Sequence, residues 1–340
     1  METASSLLET LRENRLLQPD QLEELSPTVL ARFADARSLA KYLLQRGWLT
    51  VYQVNQLFQG NAADLVLGPY RILDRLGEGG VSQVFKAWDT RRKCVAAVKV
   101  LRTEHLNNAE AVGRFRREMQ VIAQLNHPNI VRAFDVDLSG ARHYFAMEYV
   151  EGVTLDKLVQ LAGPLPPSQA AFYIRQAAMG LQHAHERGLV HRDIKPGNLL
   201  ITTGGSLLKI LDLGMSLLKQ SEQPQEPSTR LTVEGILIGT PDYLAPEQAT
   251  DPRHVDIRAD VYSLGCTLFY LLAGEPPFPG GSLLQKLDKH RTEKPAVANL
   301  VVDREHRILT AIVEKMMAKR PEDRYQTPAE AAAALWLRHN

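Results

Sequence analysis

His191-Arg192-Asp193-Ile194-Lys195-Pro196-Gly197-Asn198, followed fourteen residues later by Asp212-Leu213-Gly214, packs a lysine, an amide and two carboxylates into one short span. Pro196 and Gly197 mark the first run as a loop. An ordinary surface loop does not account for the joint spacing of these groups. Upstream, Gly77-Glu78-Gly79-Gly80-Val81-Ser82-Gln83-Val84 sits between two strand-like runs. Glycine has no Cβ, so the backbone N–H groups of such a loop can approach phosphate oxygens closely. Alone, the loop reads equally well as a glycine-rich hairpin. It lacks the Lys-Ser/Thr of a P-loop, and no helix follows it as in a dinucleotide fold. Fifteen residues after Val84, Lys99 ends the apolar run Ala96-Ala97-Val98. A buried ammonium needs a negative partner, and Glu118 on the next predicted helix is the natural one. The alternative is a solvated ammonium whose stem packs on the sheet.

Taken with Gly239-Thr240-Pro241-Asp242-Tyr243-Leu244-Ala245-Pro246-Glu247 and Arg258-Ala259-Asp260-Val261-Tyr262-Ser263-Leu264-Gly265, these motifs resemble the protein kinase family. The resemblance is to eukaryotic-like serine/threonine kinases of the bacterial type and runs from about Tyr70 to Arg338. It implies an α+β, bilobal kinase domain over residues 70–338, with a β-rich N-lobe (70–149) and a helical C-lobe (150–338). It also implies transfer of the ATP γ-phosphate to Ser/Thr hydroxyls of protein substrates, with ATP and Mg²⁺ as cofactors. Phosphoryl transfer is mostly positioning and charge neutralisation. By resemblance, Asp193 takes the substrate proton, Lys195 offsets γ-phosphate charge, and Lys99, oriented by Glu118, holds the α- and β-phosphates. Asn198 and Asp212 are the implied Mg²⁺ ligands, both hard oxygen donors.

The resemblance places Gly77, Gly79 and Gly80 over the phosphates. Leu76, Val84, Ala97 and Leu200 sandwich the adenine, Met147 closes its pocket, and Glu148 and Val150 offer it backbone hydrogen bonds. Arg192 before Asp193 implies activation by phosphorylation of the segment Asp212–Glu247, at Thr232 first and Thr229 second. A phosphate adds about −1.5 to −2 charges that an arginine can engage. Asp260 is expected to anchor the catalytic-loop backbone, and Glu247 to pair with Arg324. Ser82 replaces the loop's third glycine and Leu213 the Phe of Asp-Phe-Gly. Neither change removes a charge. The alternative function is a pseudokinase scaffold that binds nucleotide or partners without transfer.

Composition agrees with this reading. The 340 residues are 44% apolar and 23% charged, which excludes a disordered or collagen-like chain. A net charge of +1 gives no global pull toward nucleic acid or membrane. Two cysteines, Cys94 and Cys266, give no disulfide framework or thiolate zinc site. The N-terminus shows no secretory pattern. Val261–Ala273 is shorter than the about 20 residues a membrane span needs, so the expected location is the cytoplasm.

Residues 1–64 read as short helices with an echo at an offset of 32: Leu11, Leu16, Leu17, Gln21, Leu22 and Leu25 against Leu43, Trp48, Leu49, Gln53, Val54 and Leu57. Asn61–Gly68 reads as a linker. Three roles are open for the region: a regulatory or partner-binding module, a clamp on the kinase lobes, or a helix-turn-helix DNA reader. Six basic against eight acidic residues disfavour the last.

Overall fold

The computed structural model describes residues 3–78, 82–101, 122–139, 142–212, 241–251, 254–297 and 303–336. The chain divides into two compact units, residues 1–109 with 133–149 and residues 110–132 with 150–340.

The first unit opens with five helices: α1 (Ala4–Glu13), α2 (Pro19–Glu24), α3 (Pro27–Leu30), α4 (Ala36–Gln45) and α5 (Val51–Phe58). The sequence echo is a structural duplication, since α4 and α5 start 32 residues after α1 and α2. Even the caps recur. Thr3 and Asp35 accept from the backbone N–H of Ser6 and Ser38, and the side chains of Gln21 and Gln53 accept from the N–H of Gln18 and Thr50. Leu7 and Leu11 on α1, and Leu39 and Leu43 on α4, are fully buried where the two helices pack.

Six antiparallel strands follow: β1 (Val66–Leu67), β2 (Tyr70–Glu78), β3 (Ser82–Asp89), β4 (Cys94–Leu101), β5 (Ala133–Ser139) and β6 (Arg142–Glu148), in the spatial order β1-β2-β3-β4-β6-β5. Alternation sorts their side chains by face. Ile72, Ala87, Ala96, Val98, Tyr144 and Ala146 join the leucines of α1, α4 and α5 in one core. Ala97, Lys99 and Met147 alternate with these and belong to the other face. Here the structure departs from the expected linker. Residues 62–65 form a 3₁₀ turn and 66–67 form β1, with Leu65 and Leu67 each 1% exposed in that same core. The helical region therefore runs on into the sheet without a break in packing.

In the second unit, β7 (Gly152–Thr154), β8 (Leu199–Thr202) and β9 (Leu208–Ile210) form a small sheet. The helices are α6 (Leu155–Ala162), α7 (Pro167–His185), α8 (Pro246–Thr250), α9 (Ile257–Ala273), α10 (Leu283–Thr292), α11 (Arg304–Met316) and α12 (Pro328–Ala334). The predicted helix that carries Glu118 lies largely outside the described residues. α11 stops at Met316, and the backbone carbonyls of Ala318 and Lys319 just beyond it are taken by the Arg324 guanidinium.

α9 is buried along almost its whole length and packs on α7, α11 and α12. Gly265 permits the close approach of α11, because a Cβ there would lie 2.7 Å from Met316 Cβ and 2.9 Å from Met317 Cγ. Gly265→Ala is expected to destabilise this unit by about 1–3 kcal/mol, the usual cost of overpacking a core. Urea midpoints at constant m-value check this. No helix among the described residues is long and apolar enough to cross a membrane.

Candidate active site

The second unit carries the catalytic loop, whose shape is fixed from below by Asp260. This residue lies in the first turn of α9 and is fully buried. Its carboxylate accepts the backbone N–H of His191 at 2.8 Å and that of Arg192 at 2.7 Å. Burial pushes the Asp260 carboxyl up from its ordinary value, while His191 and the two backbone donors pull it back. The anchor Asp260 was expected to provide is present. Arg192 is held in the left-handed region, at φ +63°. A non-glycine residue there costs of order 1–3 kcal/mol, so surrounding bonds must impose it. Its N–H goes to Asp260 and its carbonyl accepts from Gln248 Nε2 at 2.8 Å.

Around Asp193 the loop folds its polar groups together. Lys195 Nζ lies 3.3 and 3.2 Å from the two carboxylate oxygens of Asp193. Asn198 Nδ2 donates to the Asp193 carbonyl at 2.7 Å. That assignment leaves Asn198 Oδ1 as the amide's oxygen donor for a cation. His191 Nε2 lies 2.9 Å from the Leu211 carbonyl, and the Asp193 N–H lies 3.2 Å from His191 Nδ1. The ring therefore donates from Nε2 and accepts at Nδ1. The Leu211 N–H donates to the Asn198 carbonyl at 2.8 Å. Both backbone groups of Leu211 are thus tied to the loop, which carries the neighbouring Asp212 with it. Asp212 is itself at φ +58°, a second strained residue next to the chemistry.

The remaining second-unit residues are Val150, partly exposed before β7, and Leu200 on β8. In the first unit, Gly77 pairs with Val84, Val84 with Lys99, and Ala97 with Met147. Lys99 is 5% exposed, in line with the apolar run that holds it. Leu76 is largely exposed, and Glu148 ends β6. The structure thus brings Asp193, Lys195, Asn198 and Asp212 into one group and Gly77, Val84, Ala97, Lys99 and Met147 into another. Gly79, Gly80, Glu118, Leu213, Thr229, Thr232 and Thr240 lie outside the described residues.

Sequence reasoning gave His191 and Gln248 no role. Both act on the backbone rather than on a reacting group. His191 could have been found from its place beside Arg192-Asp193; Gln248 carried no such signal, since its bond spans 56 residues.

Three comparisons bear on this arrangement. The protein kinase domain model matches residues 70–337. The chain is 41% identical over 275 residues to the serine/threonine-protein kinase PknB of Mycobacterium leprae, covering 80% of this chain and 43% of the relative. It is 40% identical, with the same coverage, to PknB of Mycobacterium tuberculosis. The chain therefore spans less than half the length of these curated relatives. Among solved structures, the PknI kinase domain of Mycobacterium tuberculosis superposes with a TM-score of 0.62 at 26% identity, covering 79% of this chain and 96% of that one. The strained, Asp260-anchored loop and these matches lead to one conclusion: the chain belongs to the protein kinase family.

Proposed function

We propose that the chain is a serine/threonine protein kinase acting on protein substrates with ATP as phosphoryl donor. The observation that carries this is the cluster of Asp193, Lys195 and Asn198 on a loop fixed by Asp260. The Asp193 carboxylate takes the proton of the substrate hydroxyl as its oxygen bonds to the γ-phosphorus. The bond from that phosphorus to the β,γ-bridging oxygen breaks, and ADP leaves. Lys195, within reach of the same carboxylate, offsets charge on the γ-phosphate oxygens. Lys99 holds the α- and β-phosphates, with Glu118 as its proposed partner. By the family resemblance, adenine contacts fall to Leu76, Val84, Ala97, Met147 and the backbone of Glu148 in the first unit, and to Leu200 and the backbone of Val150 in the second.

Asn198 Oδ1 and the Asp212 carboxylate form a hard-oxygen pair suited to Mg²⁺, which prefers one or two protein oxygens alongside phosphates. Bound there, Mg²⁺ would supply the positive charge that offsets the phosphates. We place the enzyme in the cytoplasm, where ATP is available. Both cysteines are free thiols, and burial makes Cys266 a poor thiolate.

Labelled γ-phosphate supplied with Mg²⁺ and myelin basic protein should appear as phosphoserine and phosphothreonine, without phosphotyrosine. Incorporation no higher than that of Asp193→Ala would instead favour a pseudokinase scaffold. Arg192 beside Asp193 supports activation by a phosphate on the 212–247 segment. Phosphopeptide mapping after incubation with ATP and Mg²⁺ should find Thr232 modified, with Thr229 the next site. A digest in which both remain unmodified sinks autophosphorylation at these positions.

A further inference from the structure

The duplicated helices do more than share a core with the sheet. β1 pairs only with Tyr70 and Arg71, so it covers just the start of β2 along that edge. Immediately beyond, β2 carries a bulge: Ile72 pairs with Ala87 and Asp74 with Lys86, leaving Leu73 as the extra residue. The carbonyls at that point are taken by the first turn of α5. Gln53 Nε2 donates to the Ile72 carbonyl at 2.8 Å, and the Thr50 hydroxyl donates to the Leu73 carbonyl. Gln53 is 2% exposed, and Tyr52 sets its ring 6.3 Å from that of Phe85 on β3.

The same two side chains also form the capping box of α5, Thr50 N–H to Gln53 Oε1 at 2.9 Å and Gln53 N–H to Thr50 Oγ1 at 3.1 Å. The first copy of the duplication shows what capping alone requires. There Gln21 caps the Gln18 N–H at 2.8 Å, and the residue at the cap is glutamine rather than threonine. The box uses Thr50 Oγ1 and Gln53 Oε1 only as acceptors, so the hydroxyl hydrogen of Thr50 and the amide N–H of Gln53, both donated to β2, serve a second purpose beyond capping.

The strand downstream of the bulge supplies that purpose. β2 from Asp74 to Glu78 is exposed. It leads to the glycine-rich segment through a second register shift at Leu76, with Arg75 opposite Phe85, Gly77 opposite Val84 and Glu78 opposite Gln83. A bulge bends its strand and sets the direction of the residues beyond it, and an unpinned bulge can slip in register. We propose that Thr50 and Gln53 are positioning residues for nucleotide binding: by pinning the Leu73 bulge, the second helical repeat aims the Leu76–Glu78 arm at ATP. This rests on the kinase reading and gives residues 1–64 a role as an intramolecular clamp on the nucleotide-binding strand.

The test uses the full chain with Thr50→Val, Thr50→Ser and Gln53→Glu, and with Leu7→Ala as a control inside the helical core. Thr50→Ser keeps the hydroxyl that Thr50→Val removes. Gln53→Glu keeps the oxygen that caps Thr50 and loses the donor to Ile72. KM for ATP should rise about tenfold in Thr50→Val and Gln53→Glu, the scale of one lost aligning hydrogen bond, with KM for a peptide substrate unchanged. Thr50→Ser should stay within about twofold of wild type, and Leu7→Ala should lower Tm without moving KM for ATP. An unchanged KM for ATP in folded Thr50→Val overturns the proposal. So does a Leu7→Ala chain whose KM for ATP rises as much. Should Gln53→Glu fail to fold, the threonine pair decides alone. An inactive wild type refutes the kinase reading instead.

Discussion

Asp193→Ala is expected to lower kcat by about 10²–10⁴-fold, the contribution typical of a positioned general base. The fold should survive it. What holds residue 193 in place is its backbone, whose N–H lies 3.2 Å from His191 Nδ1 and whose carbonyl accepts from Asn198 at 2.7 Å. Alanine keeps both groups. The side-chain losses among the described residues include a long 3.4 Å bond from Asn198 and the contact to Lys195, whose side chain is one-quarter exposed and can turn to water. Tm should therefore move little while turnover collapses. Asp193→Asn separates shape from charge: it fills the same space and cannot accept the proton, so it should be nearly as slow as alanine. Steady-state kcat with labelled ATP, read beside thermal melts, checks both. Turnover by Asp193→Ala at the wild-type rate would remove Asp193 from the chemistry.

The contrast between this loop and the N-terminal helices shows what the sequence could carry. The catalytic loop is legible because its groups are contiguous. Asp193, Lys195 and Asn198 sit within six residues and bond to one another directly, although the shape of the loop itself is held by the distant Asp260 and Gln248. Asp260 and the Glu247–Arg324 pair were also legible, since each falls in a motif that carries the kinase resemblance. The shared core was not. Leu65 and Leu67 alternate in too short a run to announce β1, and periodicity says which face of α1 or α4 is apolar without saying what covers it. The duplication showed in the sequence, and its asymmetry did not. Gln21 and Gln53 are identical letters at equivalent positions, yet only Gln53 meets a bulged strand. The same limit hid the tie between Tyr70, Arg92 and Asp135. The Tyr70 hydroxyl donates to Asp135 at 2.7 Å across 65 residues, and Arg92 reaches the same carboxylate at 2.8 Å. None of these three residues falls in a recognised motif, so nothing in the sequence marked them as partners.

The largest expected loss of stability comes from Arg324. Its side chain is fully buried and its guanidinium is bidentate to Glu247, at 2.6 and 2.8 Å. The remaining donors go to the carbonyls of Arg258, Ala318 and Lys319 at 2.9, 2.7 and 3.0 Å, and the group stacks over the Tyr262 ring at 4.8 Å. Arg324→Ala strands the Glu247 carboxylate and three carbonyls at once, so a cost of about 3–5 kcal/mol is expected. An exposed pair would contribute only about 0–1 kcal/mol, which makes the size of the loss the deciding measurement. Arg324→Lys should recover little, because a point ammonium cannot serve two carboxylate oxygens and three carbonyls in the plane of a guanidinium. Lys319 should respond as well. Burial is the main cause that pushes its ammonium down to about 8, and the Arg324 charge adds to it. Removing Arg324 should raise that value and keep Lys319 charged to higher pH. The double variant Arg324→Met with Glu247→Gln tests the origin of the loss, since it removes both charges together. If the penalty lies in an abandoned buried carboxylate, the double variant should be more stable than Arg324→Ala in urea denaturation. If it is no better, the bonds from Arg324 to the three carbonyls carry the stability, and the ion pair only fixes where α8 begins.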